Sequence, residues 1–135
     1  MNKLIKTIRY VIVIFLKIKK MSEPLVTYKF YTKKGERLAV FCRYLDYNKA
    51  EIFTLRCSIN DFFNKKLARN VYKQFLKDQD LKVTLNNVTY HPLVSILEVK
   101  PEKTLQHILI DYCLEHFCKK IKTVCSLTIE TLIKL

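Results

Sequence analysis

The chain has 135 residues, half of them apolar, with eight Tyr and eight Phe, which suits one folded domain and excludes a disordered chain. Its formal net charge of +13 favours an anionic partner, which is nucleic acid, an anionic membrane surface or an acidic protein. A single Gly leaves no glycine-rich phosphate loop, and five Cys without a Cys-x-x-Cys spacing indicate a reducing, cytoplasmic compartment.

The first 20 residues contain six Lys or Arg and no acid. On a helical projection the apolar side chains share one side and most of the cations share the other. The uninterrupted apolar run, residues 10–16, is much shorter than the roughly 20 residues that span a bilayer. Three interpretations stay open: an interfacial helix on anionic lipid, an extra N-terminal helix packed on the domain, and an extension upstream of a true start at Met21. Residues 21–135 are predicted to form the single domain.

Residues 24–57 predict a three-stranded antiparallel meander. The strands cover residues 25–31, 37–44 and 51–57, with turns at Gly35 and at residues 46–49. Side chains alternate between the two faces of a strand, so a pairing of residue 45 with residue 50 puts two apolar sets on one face. We predict that this core face carries Val26, Tyr28, Phe30, Leu38, Val40, Cys42, Tyr44, Phe53, Leu55 and Cys57.

The opposite face of the meander then interleaves basic and aromatic residues. Such a face binds single-stranded nucleic acid by base stacking and phosphate contact. Arg37, Arg43, Arg56 and Phe41 are therefore candidate binding residues. The alternative is that the N-terminal segment or the C-terminal helix covers this face, so that Phe41 and Ile52 belong to the core. The full set is Lys29, Tyr31, Arg37, Phe41, Arg43, Ile52 and Arg56.

Residues 57–77 predict the first long helix, with Ser58 as its N-cap and Asp61 at the capping-box position. Apolar residues fall along one face at the helical period, and cations fall along another. Because cations at i,i+4 repel each other, this arrangement is predicted to be held for an anionic partner. The alternative is an ordinary solvated helix surface. The cations are Lys65, Lys66, Arg69, Lys73 and Lys77.

The rest of the chain predicts a β-hairpin and a second long helix. Strands at 81–85 and 88–90 flank a turn at Asn86 and Asn87, and Pro92 interrupts the second strand before it continues over 93–99. The second helix covers residues 104–122, and residues 123–135 form a closing strand or a further helix. The predicted fold class is therefore α+β: meander, basic helix, hairpin and second helix.

The strand ending at Cys57 and Ser58, followed by Asp61, Phe63 and the cations from Lys65 onward, resembles small basic proteins of tailed phages. The lysine-rich, glycine-poor composition is similar to that of early proteins of AT-rich phages, some of which bind or transfer DNA. The resemblance implies a phage-encoded accessory protein in the host cytoplasm. It supplies no catalytic residues.

No catalytic or metal-binding constellation is recognised in the sequence. Cys113 and His116 share a helix face, but Cys118 points elsewhere, and the carboxylates are scattered over turns and helix ends. We predict a non-enzymatic protein without cofactor or metal that binds nucleic acid, DNA in preference to RNA, through phosphate contacts. The alternatives are a protein that binds an acidic host protein and a membrane-surface protein anchored by residues 1–20. A homodimer is left open.

Overall fold

The computed structural model describes residues 24–33, 36–58, 64–117 and 123–135. The predictions for residues 1–20, Gly35, Asp61, Phe63 and Cys118 lie outside these residues. Within them the chain is α+β, which confirms the predicted fold class. The elements are β1 (Leu25–Lys33), β2 (Glu36–Asp46), β3 (Lys49–Ser58), α1 (Lys65–Asp78), β4 (Val83–Leu85), β5 (Val88–Tyr90), β6 (Leu93–Glu98), α2 (Leu105–Phe117), β7 (Cys125–Thr128) and α3 (Ile129–Lys134).

Five of the strands form one sheet in the order β6-β3-β2-β1-β7, and every neighbouring pair is antiparallel. The predicted meander is its centre. The predicted hairpin is the separate pair β4 and β5, whose turn residues Asn86 and Asn87 have φ angles of 51° and 65°. Two successive residues in this left-handed region are typical of a type I′ turn, which Asn tolerates.

The register between β2 and β3 changes next to their turn. Asp46 pairs with Lys49, as expected if residue 45 faces residue 50, but Tyr44 pairs with Ala50 because a β-bulge intervenes. Beyond the bulge the pairing is shifted by one residue, so that Phe41 faces Phe53. A shift of one residue exchanges the faces of a whole strand. The predicted register is therefore wrong for most of the β2–β3 ladder.

The shift also corrects the predicted core face. One face of the sheet, here called the α1 face, packs against α1 and α3. The other, the α2 face, packs against α2. Phe41 and Ile52 are both fully buried, so both belong to the core, but they lie on the α1 and α2 faces respectively. Helix α2 covers Ile52 as the alternative has it, whereas α1, and not the N-terminal segment or α2, covers Phe41. Cys42 and Cys57 lie on opposite faces, not on one. The α1 face carries Val26, Tyr28, Ala39, Phe41, Phe53, Leu55 and Cys57, and the α2 face carries Leu38, Val40, Cys42, Ala50 and Ile52.

Helix α1 begins later than predicted. Ser58 is the last residue of β3, where it pairs with Glu36, so it is not the N-cap. Asn64 is the N-cap: its backbone is extended, and its side-chain oxygen accepts a hydrogen bond of 2.6 Å from the N–H of Leu67. The helix ends at Asp78 and its C-cap is Gln79, whose backbone has a φ of 55° and whose N–H donates to the carbonyl of Phe75.

Helix α1 packs on the sheet through four buried residues at the helical period: Ala68, Val71, Tyr72 and Phe75. Burial of each large side chain contributes about 1.5–3 kcal/mol to stability. This packing determines which side chains of α1 point away from the sheet.

The C-terminal half follows the prediction with one difference. Strand β5 ends at Tyr90, two residues before Pro92. The next strand, β6, joins the five-stranded sheet by pairing with β3. The second helix is found as α2, and the final segment forms both a strand, β7, and a short helix, α3, capped by Thr128. No helix in the ranges that the structure describes is long and apolar enough to cross a bilayer.

Candidate nucleic-acid interface

The five cations of α1 lie together on one side of the helix, and we call them the basic stripe. At about 100° per residue, Lys65, Arg69, Lys73 and Lys77 are each displaced by about 40° from the one before, and Lys66 falls within the same arc of about 120°. The four buried residues of α1 occupy a separate arc. The stripe therefore borders the sheet at one edge and turns away from it at the other.

The charge of the basic stripe is not neutralised within the part of the chain that the structure describes. Lys65, Lys66 and Lys77 are exposed, whereas Arg69 and Lys73 are partly buried. The ion pairs found among the described residues all involve other cations. The first turn of α1 has no acid, and the carboxylate of Asp78 accepts a hydrogen bond from the Gln74 amide.

Two cations of the stripe rest on aromatic rings of β1. The Lys65 Nζ lies 5.9 Å from the centroid of the Phe30 ring. The Arg69 Cζ lies 5.6 Å from the Phe30 centroid and 5.8 Å from that of Tyr28. Cation–π contacts at this distance are favourable and hold the side chains in place. Arg69 is partly structural because it packs on both rings, and its Nε is buried without a hydrogen-bond partner among the described residues.

A groove of about 260 Å³ lies where α1 begins, between the helix and the ends of β1 and β2. Lys65 and the N-cap Asn64 line it on the helix side, and Arg37 and Phe30 line it on the sheet side. The structure thus places Arg37, from the second predicted set, beside the first residue of the basic stripe.

Arg43 forms its side-chain contacts within the fold. Its Nε donates to Glu51 Oε1 at 2.9 Å and its Nη2 to Oε2 at 3.3 Å, with side-chain exposures of only 16% and 6%. The same Nη2 donates to Gln79 Oε1 at 3.2 Å and so links the sheet to the end of α1. The sequence alone does not indicate Glu51 as the partner of Arg43, because the two residues become cross-strand neighbours only after the bulge shift. The Arg43 charge is therefore already paired.

The remaining residues of the second set are not brought together. Arg56 is exposed but lies on the α2 face, with its Cζ 5.7 Å from the Phe117 ring centroid. Phe41 is 0% exposed on the other face, beneath α1. The interpretation of Phe41 as a surface residue flanked by Arg37, Arg43 and Arg56 is therefore wrong, and its ring is not available for stacking on a base.

The buried thiols of the α2 face are poor nucleophiles. Burial raises the pKa of Cys42 and that of Cys113, so both stay protonated at neutral pH. The Tyr31 hydroxyl donates to Cys113 Sγ at 3.3 Å. Within residues 24–33, 36–58, 64–117 and 123–135, no group of three or more His, Cys, Asp or Glu is placed to hold a metal ion.

A comparison of the chain with known protein families, curated proteins and solved structures finds no match.

Proposed function

We propose that this protein binds nucleic acid without catalysing a reaction, and that the basic stripe of α1 contacts the phosphates. One observation carries the proposal: five cations occupy one side of a well-packed helix, and none of them forms an ion pair with a described residue. Lys66 and Lys77, both exposed, are the clearest phosphate ligands, and Lys65 and Arg37 extend the surface along the groove.

The energetics of the stripe favour an anionic partner. Like charges at i,i+4 on a helix destabilise it by a few tenths of a kcal/mol per pair. A polyanion removes this repulsion and gains entropy from released counterions. The packing of Tyr72 and Phe75 on the sheet, with the hydrogen bond from Arg43 to Gln79, holds α1 in place, so that the five cations project from one side of it before binding. The proposal takes DNA in preference to RNA and a phage-encoded role in the cytoplasm, as the resemblance of this segment implies.

The proposal is tested by titrating the full chain against labelled DNA at about 50 and about 200 mM salt. We expect affinity to fall steeply with salt, because each phosphate contact adds about 0.9 to the slope of log K against log salt for duplex DNA. Lys66→Glu combined with Lys77→Glu should lower affinity about tenfold or more at low salt and reduce the slope by about two.

The matched control is Lys49→Glu combined with Lys100→Glu. These two lysines are also exposed, but they lie at the β3 and β6 ends of the sheet and not on α1. Both double variants change the net charge equally, so only a contact at the stripe makes their affinities differ. Equal losses in the two variants, or no binding by the unmodified chain at about 50 mM salt, contradict the proposal.

A further inference from the structure

The structure limits the ways in which nucleic acid can be bound, because both faces of the sheet are covered. Phe41, Phe53 and Tyr72 are fully buried between the sheet and α1, and Tyr28 is nearly so. On the opposite face Phe117 of α2 packs against Tyr31 with a centroid distance of 5.6 Å. Each face of the meander is therefore packed against a helix, and Phe30 and Tyr31 at its edge are only partly exposed.

The exposed apolar side chains of the described ranges are aliphatic. Those residues include Leu81, Leu93 and Ile96, and each Phe or Tyr in the part of the chain described is buried or only partly exposed. Proteins that bind single strands stack successive bases on aromatic rings, which contributes about 1–3 kcal/mol per base. Phe30, in the groove beside α1, is partly exposed, but Lys65 and Arg69 lie over its ring. The described surface therefore supplies charge for the phosphates and no largely exposed ring on which an unpaired base could stack.

Without stacking, affinity depends on the charge density of the ligand. A duplex carries about one phosphate charge per 1.7 Å of its axis. A single strand carries fewer charges per unit length and releases fewer counterions for each phosphate contact. Of the polar residues beside the stripe, Gln74 has its amide held by Asp78. A row of cations along about 20 Å of helix is suited to a row of backbone phosphates.

We infer that the ligand is duplex nucleic acid, held through its phosphate backbone without stacked or flipped bases and without sequence preference. This inference rests on the proposed function and adds the form of the nucleic acid. Recognition then rests on contact between the phosphate backbone and Lys66, Lys73 and Lys77, and not on base stacking against Phe41.

The test measures the affinity of the full chain for three labelled DNA ligands of equal length. They are a duplex, a single strand of the same sequence, and a single strand that is abasic throughout. We expect the duplex to bind about tenfold more tightly or better at equal salt, with log–log slopes in a ratio of about 0.9 to 0.7 per contact. The intact and abasic single strands should bind equally, because bases contribute nothing.

The outcomes separate this inference from the proposed function. Tighter binding of the intact single strand than of both the abasic strand and the duplex would overturn the inference while leaving phosphate recognition in place. An absence of binding to all three ligands at about 50 mM salt would overturn the proposed function as well. If duplex binding is preferred, Lys66→Glu with Lys77→Glu must weaken it more than Lys49→Glu with Lys100→Glu does.

Discussion

The ring of Phe41 stacks on that of Tyr72, with centroids 4.3 Å apart and an interplanar angle of 14°. This contact joins the middle strand of the sheet to the middle of α1. Phe53 meets the Tyr72 ring edge-on at 5.0 Å, so three aromatic side chains hold the helix that carries the basic stripe. The position of the stripe therefore depends on the aromatic core beneath it.

Phe41→Ala should lower the free energy of unfolding by about 3–5 kcal/mol, because it removes a fully buried ring and leaves a cavity under α1. Urea unfolding followed by circular dichroism measures this. Phe41→Leu, which keeps an apolar side chain, should cost less and leave DNA affinity unchanged under folding conditions. A variant with unchanged stability but weaker DNA binding would return Phe41 to the binding surface.

Tyr72→Phe should leave the free energy of unfolding unchanged or raise it by about 1 kcal/mol. The Tyr72 hydroxyl is buried and has no hydrogen-bond partner among the described residues, so its removal relieves a desolvation cost. The same unfolding measurement applies, with Tyr72→Leu as a comparison that removes the ring stacking. A loss of more than about 1 kcal/mol in Tyr72→Phe would reveal a hydrogen bond to the hydroxyl.

Glu51→Ala should lower the free energy of unfolding by about 3–5 kcal/mol, because it leaves the Arg43 guanidinium largely buried without its partner. The matched control is Asp111→Ala, which breaks the ion pair with Lys103 at a site where the Asp111 side chain is 59% exposed. That variant should cost less than about 1 kcal/mol. Similar losses in the two variants would mean that the Arg43–Glu51 pair is not buried in solution.

Stability should fall in alkaline solution. Burial raises the pKa of Tyr44 to about 12 from an ordinary 10.0, and it raises the pKa of Tyr72 and Cys42 in the same direction. Because the unfolded groups ionise first, the stabilisation is complete below the unfolded pKa values and is lost as pH rises from about 9 through 12. Urea midpoints across this range measure the loss.

Tyr72→Phe provides the control for the alkaline effect. Each group that ionises only in the unfolded chain contributes about 1.4 kcal/mol per pH unit above its unfolded pKa. The variant should therefore lose stability less steeply above about pH 10 than the unmodified chain does. Identical slopes would show that Tyr72 ionises equally in both states.

Local patterns predicted most of the elements, because strand alternation, the Asn86–Asn87 turn and the helical period each involve near neighbours in sequence. The basic stripe could be predicted for the same reason: its spacing depends on the helical period and not on where the helix starts. The first residue of α1 could not be predicted in this way, since Ser58 and Asn64 are both good N-caps. Pairing of Ser58 with Glu36, across the sheet, decided between them.

The candidate site was predicted in part because its two halves rest on different information. Membership of the α1 stripe follows from a single segment. The grouping of Arg37, Arg43, Arg56 and Phe41 required the β2–β3 register, which one bulged residue between Tyr44 and Asp46 reverses. The alternation of side chains along β2 does not show where an extra, bulged residue lies. Both faces of β2 are apolar, so the hydrophobic pattern does not reveal which residues face α1.

That bulge makes the β2–β3 turn tolerant of one particular deletion. Loss of Leu45 would remove the bulge and join the Asp46–Lys49 pair directly to the Tyr44–Ala50 pair, so that the rest of the ladder would keep its register and Val40 would stay on the α2 face. A residue deleted inside β2, such as Val40 itself, has no bulge to absorb it and would exchange the two faces of the strand on one side of the deletion. Loss of Leu45 should therefore be selected against less strongly than the loss of a residue within β2.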